Sequence, residues 1–486
     1  MKYLLILLLF SCASSFGQII DFPDPNLKSA LVDHNGDLID TNGDNEIQII
    51  EANEFTGAIC LQSSFIHDLT GIEHFINAIG LDASTNELTE VDLSNNIALK
   101  VLKLISNDIA VIDLSSNILL EELWIAYNDL TELDVSENTA LKHLSCKYNL
   151  LTNLIINGTN LERLICNNNQ LTELNLTGQS SLKDLWCNRN LLTNLDLSET
   201  LALEDLDCAV NLISSIELKN LSQLKELSIG WNFLTNIDVS DLVSLESLGL
   251  TDNSITSLEI INSPNINAVY VGKNLLTSLT VISDNFRHLS ADDNLLRNVN
   301  LTIDNGLGEQ VLVFSNNLIK TIDLTRTRVS RLWLRNNPLL TTINIQNGEN
   351  WRLRYPPSSD FLELPSLESI CLDLYGGADE LIAAIQTQVG PDVNFYNNET
   401  CDELILSTPD NSLSDLIISP NPATELVQID SSHYIKEVQV YSITGQLLKT
   451  IYDQNNIDLS SLQSGIYILK VFNDANQETV QKIVKK

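Results

Sequence analysis

Between about Ile59 and Ile345 the leucines and isoleucines fall into one spelling that returns, with small edits, copy after copy. Within each copy the apolar positions alternate around one other residue, as in Leu123-Trp124-Ile125 and Leu185-Trp186-Cys187. That is the period-2 pattern of a short strand with one buried face. A second apolar segment follows in each copy, seen at Leu133-Asp134-Val135, Leu195-Asp196-Leu197 and Ile237-Asp238-Val239. It predicts a short extended strand on the opposite side, and its acidic middle residue predicts a solvated outer stripe rather than a metal site. Between the two apolar segments stands an asparagine.

These asparagines are Asn86, Asn107, Asn128, Asn149, Asn169, Asn190, Asn211, Asn232, Asn253, Asn274, Asn294, Asn317 and Asn337, spaced 20 to 23 positions apart and most often 21. Residues 141–154 spell the frame as L-x-x-L-x-C-x-x-N-x-L-T-x-L, and Ile59 to Leu69 carries an earlier copy with Ser64 in the asparagine slot. The repeat resembles leucine-rich repeats of the cysteine-containing, internalin-like type. The resemblance implies a leucine-rich-repeat solenoid, with parallel β-strands on a concave face and short strands and loops on the convex one. One coil cannot bury its apolar face alone. Coils stacked about 4.8 Å apart make a continuous core, in a body on the order of 65 Å long. Where the chain leaves the strand its backbone groups lose their sheet partners, and an asparagine amide in the next coil can satisfy them.

The flanks of the array divide the rest of the chain. Residues 1–18 begin Met1-Lys2-Tyr3 followed by the apolar run Leu4 to Phe10, which predicts a signal peptide cleaved near Gly17; a lipobox ending at Cys12 is the weaker alternative. Residues 19–56 are an N-terminal cap, with a short amphipathic helix around Leu27 to Leu31. In it Asp40, Asn42, Asp44, Glu46 and Glu51 follow the spacing of an EF-hand loop and resemble dockerin-type calcium loops, with Asn45 where glycine is usual. The expectation is a structural calcium ion; a capped acidic turn is the alternative. The repeats fill 57–350, with an excursion loop after Asp304, and a C-terminal cap follows over 351–403. Residues 404–414 are a polar linker.

Residues 415–486 read as a small β-sandwich of alternating apolar strands punctuated by glycine and proline. The blocks Pro420-Asn421-Pro422-Ala423, Val440 to Gln446, Ile457 to Val471 and Lys482 to Lys486 resemble the C-terminal sorting domain of the type IX secretion system of Bacteroidetes-type bacteria. That resemblance implies passage across the outer membrane by that machinery, then surface attachment or release.

Charge and cysteine narrow the function. With 27 basic and 64 acidic residues the net charge is −37, which disfavours nucleic acid and anionic lipid as partners. No segment after the signal is apolar for long enough to span a bilayer. Cys146, Cys166, Cys187 and Cys208 hold one frame position in consecutive copies. They are expected to be a buried column of core filler, since structural zinc needs closely spaced pairs converging on a point. Cys60 falls at an exposed strand position. Cys371 and Cys401 bracket the C-terminal cap and are expected to form a disulfide, worth roughly 3–4 kcal/mol in the chain-entropy model.

The concave positions are not filled at random. Trp124, Trp186, Tyr270 and Trp333 take the outward strand position in different copies, and Tyr127, Tyr148 and Trp231 the position before the asparagine. Clustered exposed aromatics anchor interfaces or stack on sugars. Near the far end Arg326, Arg328, Arg331, Arg335, Arg352 and Arg354 gather, with Arg331 and Arg335 beside Trp333. They suit an anionic partner or pair with neighbouring carboxylates. No catalytic motif is evident. The expected function is exported, non-enzymatic ligand binding: protein interaction or adhesion first, polysaccharide recognition by the aromatics second, a passive surface protein third.

Overall fold

The computed structural model describes residues 17–34, 38–283, 285–303, 310–346, 359–373, 378–396 and most of 417–485, the segments 420–422, 425, 431–433, 443–446, 453–455 and 474–477 excepted. The chain divides into two compact units, 1–396 and 397–486.

The first unit is built on one parallel sheet of 14 strands in near-sequential order, from Ala58–Cys60 to Val329–Trp333. Each inner strand is three to five residues long, with its central leucine or equivalent buried. Leu102, Leu123, Leu144, Leu164, Leu185, Leu206, Leu227 and Leu248 pair in register from coil to coil, as stacking of the repeat frame requires. The outer face is less regular. Short parallel sheets join Glu132–Asp134 to Asn153–Ile155, link Ser257–Ile260, Ser278–Ile282 and Asn298–Thr302, and run from Thr321–Asp323 to Asn394–Tyr396.

The expected outer strands at Leu195–Leu197 and Ile237–Val239 are absent: these segments lead straight into turns. The acidic residues at this position close the turns that follow, whether or not a strand precedes them. Asp92, Asp113, Asp134, Asp196 and Asp238 each accept a hydrogen bond at 2.9 Å from the amide of the serine two residues on. The stripe is exposed, and it is also a row of side-chain turn closures. Serine amides and hydroxyls hold the carboxyls of Asp92, Asp113 and Asp196 below their usual range, and the Ser240 hydroxyl and amide do so for Asp238.

Asparagine forms two ladders. In the first, the Asn149 side-chain amide donates to the carbonyls of Ile125 (2.9 Å) and Cys146 (3.0 Å), while its Oδ1 accepts from the Leu130 amide at 3.0 Å. The same bonds repeat at Asn128, Asn190, Asn211 and Asn232. The second ladder, Asn96, Asn117 and Asn138, ties the convex turns to the preceding coil.

Caps close both ends. The helix Pro25–Val32 starts at Asp24, whose carboxylate caps its first turn and also accepts the amides of His67 and Asp68 in the first coil. Phe22 lies so close over Gly71 (φ 109°) that a Cβ there would stand 2.5 Å from its ring. At the other end residues Ser359 and Asp360 lie along the last inner strand, with the Asp360 amide donating to the Leu332 carbonyl and the Leu334 amide to the Asp360 carbonyl. That segment covers an edge that would otherwise stay open.

The second unit has two antiparallel sheets, one of Ile417–Ser419, Leu426–Asp430 and Asn456–Asp458, the other of Leu447–Tyr452, Ile435–Ser442, Gly465–Asn473 and Glu478–Lys485. Val427, Ile429, Val438, Val440, Ile457, Leu469, Val471 and Ile483 form its core.

Candidate functional site

In every coil the strand ends in a tight turn whose last residue, just before the ladder asparagine, has a left-handed backbone. Thr85, Ser106, Tyr127, Tyr148, Asn168, Arg189, Val210, Trp231, Asp252, Lys273, Asp293, Asn316 and Asn336 all have φ between 51° and 61° or close to it. Asparagine and aspartate tolerate this conformation; tyrosine, tryptophan and valine are strained there. The sequence frame gave no sign of it.

Aromatics nonetheless occupy this strained column. Tyr127 and Tyr148 stack face to face, centroids 4.4 Å apart and planes within 8°, and both are more than 40% exposed. Trp124 sits in the same coil as Tyr127, half-buried, its indole donating to Glu122 at 3.2 Å. Trp231 is 54% exposed on the same column further along.

The other expected residues stand apart from this group. Trp186 is on the seventh inner strand, Tyr270 on the eleventh and Trp333 on the fourteenth, against the fourth for Trp124. At about 4.8 Å per strand, Trp124 and Trp333 are roughly 50 Å apart. One face holds them all, but no single site does. Trp186 donates its indole N–H to Asp205 at 2.9 Å, and Tyr270 leans on His288 at 4.9 Å. Around Trp186 gather Asp184, Asp205, Asp207 and Glu226, a group the sequence reading passed over; the first two and Glu226 pair in one register row. Arg163 bonds Asp184 at 2.6–2.7 Å. Burial pushes the Asp205 and Asp207 carboxyls up, offset in part by the Trp186 indole for Asp205 and by the Ala209 amide for Asp207. Burial holds His288 down.

Within the arginine group Arg335 has a structural role. Arg335 bonds Asp360 at 2.8 Å and Glu363 at 3.4 Å, so it clamps the covering segment onto the last coil, and its guanidinium is held more firmly charged by Asp360. Arg331 is half-buried beside Trp333. Arg326 and Arg328 have partners of their own, and Arg352 and Arg354 lie outside the described residues.

In the N-terminal cap, Glu51 accepts from the Thr41 amide (2.8 Å) and hydroxyl (2.7 Å), the Asn42 amide (3.2 Å) and the Gln48 amide (2.9 Å). Asp40 accepts from Gly43, Asp44 and Asn45, Asp44 accepts from Glu46 and Gln48, and Glu46 pairs with Lys28 at 2.7 Å. The loop closes on its own amides. Among the described residues no group of three or more His, Cys, Asp or Glu side chains is placed to hold a metal ion, and the Glu51 carboxylate is taken up by the loop's own amides.

Cys146, Cys166, Cys187 and Cys208 form the buried column as free thiols; burial pushes Cys146 up to about 12 and the others well above the ordinary thiol range. Cys371 is disulfide-bonded, and Cys401, its expected partner, lies outside the described residues. Cys60 is exposed and free, its amide donating to His34 Nε2 at 2.9 Å.

Comparison with known proteins adds two findings. The repeat unit is similar in fold to the functional domain of InlJ from Listeria monocytogenes, which includes a cysteine ladder: 20% identity, TM-score 0.57, over 97% of this chain and 99% of that one. YopM, a leucine-rich effector protein from Yersinia pestis, is 23% identical with TM-score 0.52 over 71% of this chain and 98% of that one. Residues 418–486 match the secretion system C-terminal sorting domain. Over 71 residues the chain is 42% identical to beta-agarase D of Zobellia galactanivorans, and it spans 14% of that relative's length. Among the described residues no helix is long and apolar enough to cross a membrane. The chain is thus a leucine-rich-repeat solenoid followed by a type IX secretion sorting domain, a protein exported to the cell surface or secreted.

Proposed function

We propose that the protein is a non-enzymatic adhesion or recognition molecule, and that Trp124, Tyr127 and Tyr148 are the anchors for a partner protein. The observation that carries this reading is the stacked, exposed tyrosine pair on left-handed backbone. Each such position costs on the order of 1–2 kcal/mol for a residue other than glycine, asparagine or aspartate. A fold selected for stability alone has asparagine or aspartate available there, as at Asn168 and Asp252. Two rigid aromatics held side by side in water are what an interface hot spot requires, because little side-chain entropy is lost on docking.

The test compares the full chain with the double variant Tyr127→Asn, Tyr148→Asn, both immobilised and challenged with extracted surface proteins. The variant keeps its melting temperature, since relief of backbone strain offsets the lost stacking, and loses retention of the partner. Retention unchanged in the variant, or no protein retained by either, overturns the reading. Calcium in the cap is a separate proposal. The ion would have to take the Glu51 carboxylate from the amides of Thr41, Asn42 and Gln48, and a titration giving neither heat nor a higher melting temperature would retire it.

A further inference from the structure

A different stretch of the inner sheet has the form of a trough. One outward row runs in register through Trp186, Asp207, Ser228, Gly249 and Tyr270 on five successive strands. Trp186 forms one wall and Tyr270 the other, four strand spacings or roughly 19 Å apart. Beyond Asp207 and Glu226 the side chains shrink to Ser228 and Gly249, and in the neighbouring outward row Ser247 and Ala268 are small too.

Gly249 gives the trough its meaning. Glycine inside a strand weakens it by about 0.5–1 kcal/mol relative to alanine. Here the backbone does not need it: φ is not left-handed, and an added Cβ would meet the Leu227 carbonyl and Ser228 at 3.7 Å, an ordinary contact. What glycine supplies is an open floor. The walls, by contrast, are set in place. The Trp186 indole is bonded to Asp205, and the Tyr270 ring rests on His288, so neither aromatic must be ordered on binding. Asp205 and Asp207 bring partly buried carboxylates to the Trp186 end.

We infer that this trough binds a short run of a neutral polysaccharide, independently of the protein-binding reading above. The C–H face of a pyranose stacks on Trp186 and another on Tyr270, while ring hydroxyls donate to the carboxylates of Asp205 and Asp207 as charge-assisted hydrogen bonds. The same carboxylates, with Asp184 and Glu226 beside them, repel sulfated and uronate chains. The floor of Ser228 and Gly249 lets the chain lie close to the sheet.

The experiment is calorimetric titration of the full chain with the hexaoses of β-linked glucose, xylose, mannose and N-acetylglucosamine, and with a heparin hexasaccharide as the anionic probe. At least one neutral hexaose gives heat and shifts tryptophan emission, and the anionic probe binds more weakly or not at all. Gly249→Val, whose Cβ meets only ordinary contacts, and Trp186→Ala each weaken binding about tenfold or more. Melting curves confirm folding, and the glycine variant decides the matter if the tryptophan variant misfolds. No heat with any neutral hexaose, tighter binding of the anionic probe, or affinity untouched by Gly249→Val overturns the inference.

Discussion

Replacing Asn149 by alanine removes one rung of the inner asparagine ladder, and the cost follows from the bonds it makes. The side chain is buried and makes close bonds to three main-chain groups, the carbonyls of Ile125 and Cys146 and the amide of Leu130, besides a long one of 3.5 Å to the Lys147 carbonyl. The two carbonyls belong to successive coils, so one side chain ties a coil to the one before it. A buried polar group left without a partner costs about 1–3 kcal/mol. Three orphaned groups, with water reaching some of them, give a loss of about 3–5 kcal/mol. In a solenoid each coil leans only on its neighbours, so the damage is local. Urea unfolding by circular dichroism should show the midpoint fall, and hydrogen exchange should show lost protection at Leu130. The nearby Asn168→Ala change, at a half-buried left-handed turn, is the control for backbone strain and should cost about 1 kcal/mol. If Asn149→Ala costs no more than Asn168→Ala, the ladder is not what holds successive coils together.

The aspartates that close the convex turns have carboxyls held below their ordinary value, so their stabilisation is complete above about pH 4 and disappears as pH falls through the folded values. Ser94→Ala together with Ser198→Ala keeps the amide bonds and removes the hydroxyls, so the acid-unfolding midpoint should move upward slightly; an unchanged midpoint would refute the part assigned to the serine hydroxyls. Asp205 and Asp207 run the other way. Their raised carboxyls destabilise the fold as pH rises through the folded values, so Asp205→Asn with Asp207→Asn should raise the melting temperature at pH 7, with the gain vanishing below about pH 4. A gain that persists in acid would point to packing instead. In the folded protein a thiol reagent at pH 8 should modify Cys60 promptly and Cys146, Cys166, Cys187 and Cys208 only on unfolding, because they are buried and remain protonated. Prompt labelling of more than one of these five would contradict the buried column.

The amino-acid order determined the stacked coils by itself, because the repeat writes the same inward leucines and the same asparagine at each turn, and only stacking can bury and satisfy them. It also announced the sorting tail and the buried cysteine column. The second asparagine ladder was missed in the repeat frame, although Asn96, Asn117 and Asn138 recur 21 positions apart, like the first set. What the sequence could not contain was the relation between residues one coil apart. The stacking of Tyr127 on Tyr148, the bond from Trp186 to Asp205 and the open floor at Gly249 each join side chains about 20 to 60 positions apart, whose spacing is set by the pitch of the sheet. Nor could it show the left-handed turn before each asparagine, since nine residue types at thirteen positions, from Thr85 to Asn336, are forced into one backbone shape by the coils above and below. Local pattern fixed the coil; the contact of one coil with the next decided which side chains face a partner together.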